Sequence, residues 1–220
     1  REEVDEEIVN KLISIAVTYG STAFESALDT FCETFELRSE YDKEAKRPRN
    51  GAKMATGKNK AKHFKSIELF AGAGGLAIGL EKAGFDHIGL VEFNKAAAET
   101  LNINRPDWNV LCEDVAKVAQ RDLTREFKIK RNELDLLSGG APCQSFSYAG
   151  KRLGLEDVRG TMFYHYATFL HKLQPKMFLF ENVKGLLSHD KGKTYQTILD
   201  IFEDEGYVTF HQVLNAWDYN

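Results

Sequence analysis

From Phe64 onward, short runs of β-forming residues alternate with stretches of helical periodicity, and this alternation constrains the fold more than any other feature. The predicted strands are 66–70, 87–92, 110–112, 134–137, 177–180 and 207–214. The predicted helices between them are about 75–84, 94–103, 115–127, 161–173 and 193–205. Repeated strand–helix units predict a parallel sheet with helices on both faces, an α/β fold whose ligands bind at the carboxyl ends of the strands.

The chain before Phe64 has a different pattern. Apolar residues recur at helical spacing over residues 4–19, and Thr22 to Glu25 has the form of a capping box that opens a second helix. We therefore expect a small helical hairpin within an N-terminal extension, residues 1–42, then a linker, residues 43–63. The hairpin would either pack on the main domain, residues 64–220, or serve as an interaction or autoregulatory module.

Charge is divided unevenly along the chain, although the net charge is only -4. Residues 1–42 contain 11 acidic and 3 basic residues, whereas residues 43–65 contain 9 basic and 1 acidic. A basic stretch of this density either attracts phosphate backbones or is simply a solvated linker. No apolar run is long enough to predict a membrane span.

The three cysteines, Cys32, Cys112 and Cys143, are far apart in the sequence. An odd and sparse set argues against a disulfide framework and favours a reducing compartment, cytoplasmic or nuclear. No paired cysteine or histidine spacing typical of a zinc site is present, so no metal is expected. Cys32 and Cys112 are expected to be inert and buried.

A glycine-rich turn follows the first predicted strand of the main domain. Gly72, Gly74 and Gly75 end that strand and open a helix, where a doubly wound fold lets a ligand approach the backbone. The spacing is Gly-x-Gly-Gly, and tight turns in any α/β protein use such glycines. The turn alone is therefore a weak signal of a nucleotide site.

Acidic residues at the next two strand ends strengthen this interpretation. Glu92 lies 20 residues after Gly72, where an acid commonly accepts hydrogen bonds from ribose hydroxyls. Its neighbour Phe93 offers a flat face to an adenine, and Asp114 could accept an adenine amino proton. For each acid alone, and for Asp114 especially, the sequence favours a helix N-cap. Together they favour an adenosine-containing cofactor.

Cys143 and Glu181 lie at the ends of two later strands. Cys143 stands within GGAPCQSFS, residues 139–147, a turn at the predicted carboxyl edge of the sheet. Glu181 follows an apolar run and is either a helix cap or a carboxyl positioned for proton transfer. A thiol and an acid beside an adenosine site suggest covalent catalysis with proton assistance.

Four segments together resemble the DNA (cytosine-5)-methyltransferases in order and spacing. They are FAGAGGLAIGLEKAGF (70–85), GGAPCQSFSYAGKRLG (139–154), DVRGTMFY (157–164) and ENVKGL (181–186). The resemblance implies the Rossmann-like class I methyltransferase fold and S-adenosyl-L-methionine as cofactor. The cofactor-binding positions that it implies are Phe70, Gly72, Gly74, Gly75, Glu92, Phe93, Asp114, Val115, Pro142 and Met162.

The resemblance also implies the chemistry and the partner. Cys143 would attack C6 of a cytosine flipped out of double-stranded DNA, while Glu181 would hydrogen-bond and protonate N3. The implied substrate contacts are Gln144, Ser147, Lys151 and Asn182, and residues 145–154 resemble the loop that closes over the flipped base.

The chain departs from the family pattern after residue 214. It stops at LNAWDYN, before the Gln-x-Arg-x-Arg motif and the target-recognition region. We therefore expect a catalytic half that needs a C-terminal remainder or a second subunit, with little activity alone. Three alternatives stay open: a tRNA cytosine methyltransferase of the same architecture, a non-catalytic DNA-binding subunit, and a nicotinamide-dependent oxidoreductase, which the glycine spacing disfavours.

Overall fold

A computed structural model describes residues 10–18, 64–142 and 161–215. The strands are β1 (Asn10–Thr18), β2 (Phe64–Leu69), β3 (Phe85–Val91), β4 (Val110–Leu111), β5 (Leu136–Gly139), β6 (Met177–Val183) and β7 (Tyr207–Asn215). The helices are α1 (Gly75–Lys82), α2 (Lys95–Asn104), α3 (Val115–Ala119), α4 (Leu123–Glu126), α5 (Met162–Leu173) and α6 (Lys193–Asp204). Two 3₁₀ segments, Lys184–Leu187 and His189–Gly192, join β6 to α6.

The strands form one seven-stranded sheet in the order β4-β3-β2-β5-β6-β1-β7. The five strands from β2 to β6 pair in parallel, which confirms the predicted α/β fold. The carboxyl ends of all five therefore meet at one edge of the sheet. Each of the six strands predicted in the main domain is present, and the predicted bounds differ by a few residues.

The helix predicted over residues 115–127 is wrong as one element, because it is two short helices. Asp122 interrupts it: its side chain accepts hydrogen bonds from the backbone N–H groups of Thr124 and Arg125 and so caps α4. A carboxylate that satisfies the free N–H groups of a new helix favours a fresh start over continuation of the old one.

The helix predicted over residues 4–19 is wrong where the structure describes that segment. Residues 10–18 form β1, which lies antiparallel between β6 and β7, with Ile15 opposite Leu179 on one side and Phe210 on the other. The segment NKLISIAVT is rich in β-branched residues, and two flanking strands satisfy its backbone on both sides. The second predicted helix and the basic linker lie outside the described residues.

Two apolar layers fix the position of the central strands. On one face, α5 and α6 pack on the sheet through an aromatic cluster made of Phe163, Tyr166, Phe169, Phe178, Phe180 and Phe202. On the other face, Leu80 of α1 packs with Phe85, Leu136, Met177 and Leu179. Because β5 and β6 are covered on both sides, their carboxyl ends are held rigidly.

The buried hydroxyl of Tyr166 joins these two strands. It lies 3.2 Å from the carbonyl oxygens of both Leu137 in β5 and Leu179 in β6. Burial raises the pKa of Tyr166 well above its usual value, so the phenol stays a neutral donor. In the part of the chain that the structure describes, no helix is long and apolar enough to cross a membrane.

The pairing of β1 predicts how a proline would act there. Ile15→Pro removes a backbone donor from the middle of a strand paired on both sides and leaves its carbonyl partner unpaired, which should lower the stability by about 1–3 kcal/mol. Ile15→Val, which keeps the β-branched shape, is the matched control. Thermal unfolding measures both, and an unchanged midpoint for Ile15→Pro would contradict the placement of β1.

Candidate functional site

The glycine turn between β2 and α1 is built from left-handed backbone. Phe70, Gly72 and Gly74 have φ angles of 57°, 55° and 92°. The left-handed φ of Gly74 favours glycine, and an added Cβ there would also come within 2.6 Å of the Leu101 side chain. A Cβ at Gly72 or Gly75 would meet nothing within 4 Å. The turn is therefore packed against Leu101 at Gly74 and open at Gly72 and Gly75, where a ligand can reach the backbone.

The carboxylate of Glu92 ties this turn to the end of β3. The backbone N–H of Gly72 donates to Glu92 Oε2 at 2.7 Å, and the N–H of Asn94 donates to Oε1 at 2.7 Å. Glu92 is only 9% exposed. Each carboxylate oxygen has further lone-pair capacity, so Glu92 can hold the turn and still accept ligand hydroxyls.

An open cleft of about 460 Å³ lies beside Glu92, at the ends of β3 and β4. Phe93 is 74% exposed and lines the cleft. Asp114 lines the same cleft. The remaining lining residues are Asn94, Lys95, Cys112, Glu113 and Lys117. The structure thus brings the predicted Phe93 and Asp114 together around one space.

Asp114 and Asn94 also have structural roles. Asp114 accepts a hydrogen bond from the N–H of Ala116 at 2.8 Å and caps α3. Asn94 caps α2 through the N–H groups of Ala96 and Ala97. The helix-cap interpretation of Asp114 is therefore correct, and it places the Asp114 side chain at the cleft wall.

Sequence reasoning missed five of the lining residues: Asn94, Lys95, Cys112, Glu113 and Lys117. The expectation that Cys112 is buried is wrong, because it is an exposed free cysteine directly after β4. Its place at a strand end was the available signal, since strand ends face the ligand edge. Within the described residues, no group of three or more histidine, cysteine or acidic side chains could hold a metal ion.

The ends of β5 and β6 lie in very close contact. A Cβ at Gly139 would overlap the backbone of Leu69, and a Cβ at Gly140 would overlap the Oε2 atom of Glu181. Glycine at these two positions lets the chain leaving β5 pass against β2 on one side and against the Glu181 carboxyl on the other.

Asn182 fixes the segment that leads to Cys143. Its Nδ2 group donates to the carbonyl oxygen of Ala141 at 2.8 Å, and its Oδ1 accepts from the N–H of Val183 at 2.9 Å. Asn182 is buried, and its hydrogen bond to Ala141 holds the backbone just before Pro142. The structure thus confirms that the two predicted strand ends are neighbours.

The remaining predicted positions are distributed as follows. Val115, the first residue of α3, is buried in the core, and Met162, the first residue of α5, packs half-buried against it, as does Phe70. Pro142 is exposed at the end of the described segment. The predicted Cys143, Gln144, Ser147 and Lys151 lie outside the described residues.

Comparison with known proteins identifies the family of the chain. Residues 64–220 match the family described as C-5 cytosine-specific DNA methylase. The chain is 53% identical over 161 residues to the type II methyltransferase M.Sau96I of Staphylococcus aureus, covering 73% of this chain and 36% of that protein. It is 51% identical over 151 residues to M.Eco47II of Escherichia coli, covering 68% of this chain and 34% of that protein.

A solved structure agrees with the fold. The crystal structure of a putative DNA modification methyltransferase encoded within an E. coli prophage is 31% identical, with a TM-score of 0.52, and the match covers 64% of this chain and 38% of that one. The chain spans about a third of the length of the two curated relatives. From the match over residues 64–220 and these identities, the chain belongs to the C-5 cytosine-specific DNA methylase family.

Proposed function

We propose that residues 64–220 are the catalytic part of a DNA cytosine-5 methyltransferase of the restriction–modification type, with S-adenosyl-L-methionine as cofactor. The observation that carries this proposal is the single edge at which the glycine turn, Glu92 and the contact between Gly140 and Glu181 meet. Family membership and the type II methyltransferases among the relatives support it.

The residues around the cleft fit the proposed cofactor. Phe93 presents an exposed aromatic face to an adenine, and Glu92 has acceptor capacity for ribose hydroxyls. The open space above Gly72 and Gly75 would let the backbone approach the methionine part of the cofactor. When bound, S-adenosylmethionine supplies an electrophilic methyl group.

The proposed chemistry of the protein side chains starts with Cys143. Its thiolate adds to C6 of the flipped cytosine, and the displaced electron pair is accommodated at N3, which Glu181 protonates. This addition makes C5 nucleophilic. After methylation a base takes the C5 proton, the Cys143–C6 bond breaks and releases the thiolate, N3 returns its proton to Glu181, and the ring recovers its aromaticity.

The contacts around Glu181 support its assignment. Gly140 leaves room for the carboxyl, and Asn182 holds Ala141, two residues before Cys143. An acid and a nucleophile carried on adjacent strand ends can act on the same ring without large movements. Double-stranded DNA is the proposed substrate, and the target sequence would be read by a C-terminal remainder or a second subunit.

Covalent trapping tests this proposal. Full-length protein is mixed with S-adenosylmethionine and duplex DNA that carries 5-fluorocytosine, whose fluorine cannot leave as a proton does. We expect a protein–DNA adduct on a denaturing gel, lost in Cys143→Ser and retained in Cys32→Ser, the same exchange at a cysteine outside the proposed site.

The other outcomes separate the alternatives. An adduct with tRNA but not with DNA would support the RNA methyltransferase of the same architecture. DNA binding without an adduct in the wild-type protein would indicate a non-catalytic DNA-binding subunit and overturn the proposal.

Gly140→Ala should separate catalysis from cofactor binding. The added methyl group would overlap Glu181 Oε2 and so displace the carboxyl. Misplacing a catalytic group by about 1 Å lowers the turnover rate by about a hundredfold. The affinity for S-adenosylhomocysteine, measured by calorimetry, should be unchanged. In a Glu181→Gln background the same substitution should add little, because its target is already lost. Equal effects in both backgrounds would show that Gly140 does not act through Glu181.

A further inference from the structure

His87 of β3 is a partly buried side chain that contacts the first turn of α1. Its Nε2 atom lies 2.8 Å from the carbonyl oxygen of Ala77, and its Nδ1 atom lies 2.8 Å from the hydroxyl of Ser66. A carbonyl oxygen only accepts, so Nε2 carries the proton and Nδ1 accepts from Ser66. Burial lowers the pKa of His87, which keeps this ring neutral.

Glu68 of β2 also approaches the backbone of Ala77. It is 2% exposed, and its carboxyl faces the backbone N–H of Ala77 and the hydroxyl of Ser138. Its Oε2 atom is buried and has no hydrogen-bond partner among the described residues. Burial outweighs the two facing groups and raises the pKa of Glu68 to about 8.

We propose that neutral Glu68 and neutral His87 form a clamp on Ala77 that positions the glycine turn, and that cofactor binding is lost when Glu68 ionises. The clamp rests on the proposed function, because it positions the turn for the cofactor of that reaction. Glu68 and His87 act here as positioning residues, since neither lines the cleft.

The location of Ala77 explains why the clamp would control the turn. Ala77 is the third residue of α1, which begins immediately after Gly74. A contact that fixes Ala77 therefore also fixes the start of the helix and the end of the glycine turn. Gly74 has no spare room against Leu101, so a shift of the helix must be absorbed by the open part of the turn at Gly72. Ser138, which also faces Glu68, directly precedes Gly139 at the end of β5.

Among the described residues, no charged group faces the Glu68 carboxyl to neutralise it. The groups that face the Glu68 carboxyl are Ser138 and the Ala77 backbone, and neither is charged. His87 feels Glu81 of α1 and Asp86 of its own strand, which raise its pKa less than burial lowers it. Glu81 in turn is paired with Arg105 at 2.9 Å. Ionised Glu68 would therefore be a buried anion without a cation, which favours opening of the site.

The sign of the pH dependence follows from the direction of the shift. Since the pKa of Glu68 is higher in the folded protein than in the unfolded chain, the folded protein binds more protons between the two values. The stabilising contribution of this group is therefore fully present below its ordinary pKa of 4.5 and is lost as the pH rises from there to about 8. Glu68→Gln, which is neutral at every pH, removes this loss.

Calorimetric titration with S-adenosylhomocysteine between pH 7 and pH 9 tests the clamp. If only the neutral form is competent, the competent fraction falls about tenfold across this range and the apparent affinity falls with it. Glu68→Gln should bind like the wild type at pH 7 and should lack the part of the loss at pH 9 that comes from ionisation of Glu68. The amino group of the ligand also titrates, so the difference between the two proteins is the readout.

His87 provides a second variant. Gln can keep a donor towards the Ala77 carbonyl, so His87→Gln should retain more affinity than His87→Ala at pH 7, with both proteins still showing the wild-type loss at pH 9. Equal affinity in these two variants would remove His87 from the clamp.

Amide hydrogen exchange over residues 72–80, corrected for the intrinsic pH effect, reports on the turn without cofactor. We expect protection in the wild type to fall towards pH 9 and to persist in Glu68→Gln. The same pH dependence in both proteins overturns the clamp and leaves the proposed function standing. If exchange differs as expected but S-adenosylhomocysteine binds neither protein, the clamp positions no cofactor and the proposed function fails with it.

Discussion

The carboxylate of Glu92 is the contact on which the geometry of the site depends. It accepts one hydrogen bond from the glycine turn and one from the chain that leaves β3, so a single buried side chain sets the distance between these two loops. Charged hydrogen bonds in a partly dry site are stronger than those between neutral groups. Phe93 is next in the chain, so this anchor also sets the position of Phe93 in the cleft wall.

The second half of the site depends on close backbone packing. Gly139 and Gly140 let β5 end against β2 and against Glu181, and Asn182 fixes the segment before Pro142. These contacts are possible because the aromatic cluster on one face of the sheet and the second apolar layer on the other hold β5 and β6 in register. The core thus supplies the rigidity that positioned catalytic groups require.

The sequence predicted the parallel sheet well because alternating periodicity is a local property of the chain. It failed for β1, where pairing with β6 and β7 overrides helical spacing, and pairing partners far apart in sequence leave no local trace. Glu92 and Phe93 were predictable from strand ends. Cys112 was predictable from the end of β4 in the same way, whereas Lys117 was not, because the path of the chain into α3 decides which side chains face the cleft. Glu68 was missed because burial of an acid depends on the whole sheet.

The most direct measurement is the affinity of Glu92→Ala for S-adenosylhomocysteine, with Glu99→Ala, an exposed residue of α2, as the control. Loss of two charged hydrogen bonds, one to the glycine turn and one to the chain that leaves β3, predicts affinity at least about a hundredfold weaker in Glu92→Ala, with Glu99→Ala unchanged. Wild-type affinity in Glu92→Ala would show that the ligand does not bind at this sheet edge and would contradict the account.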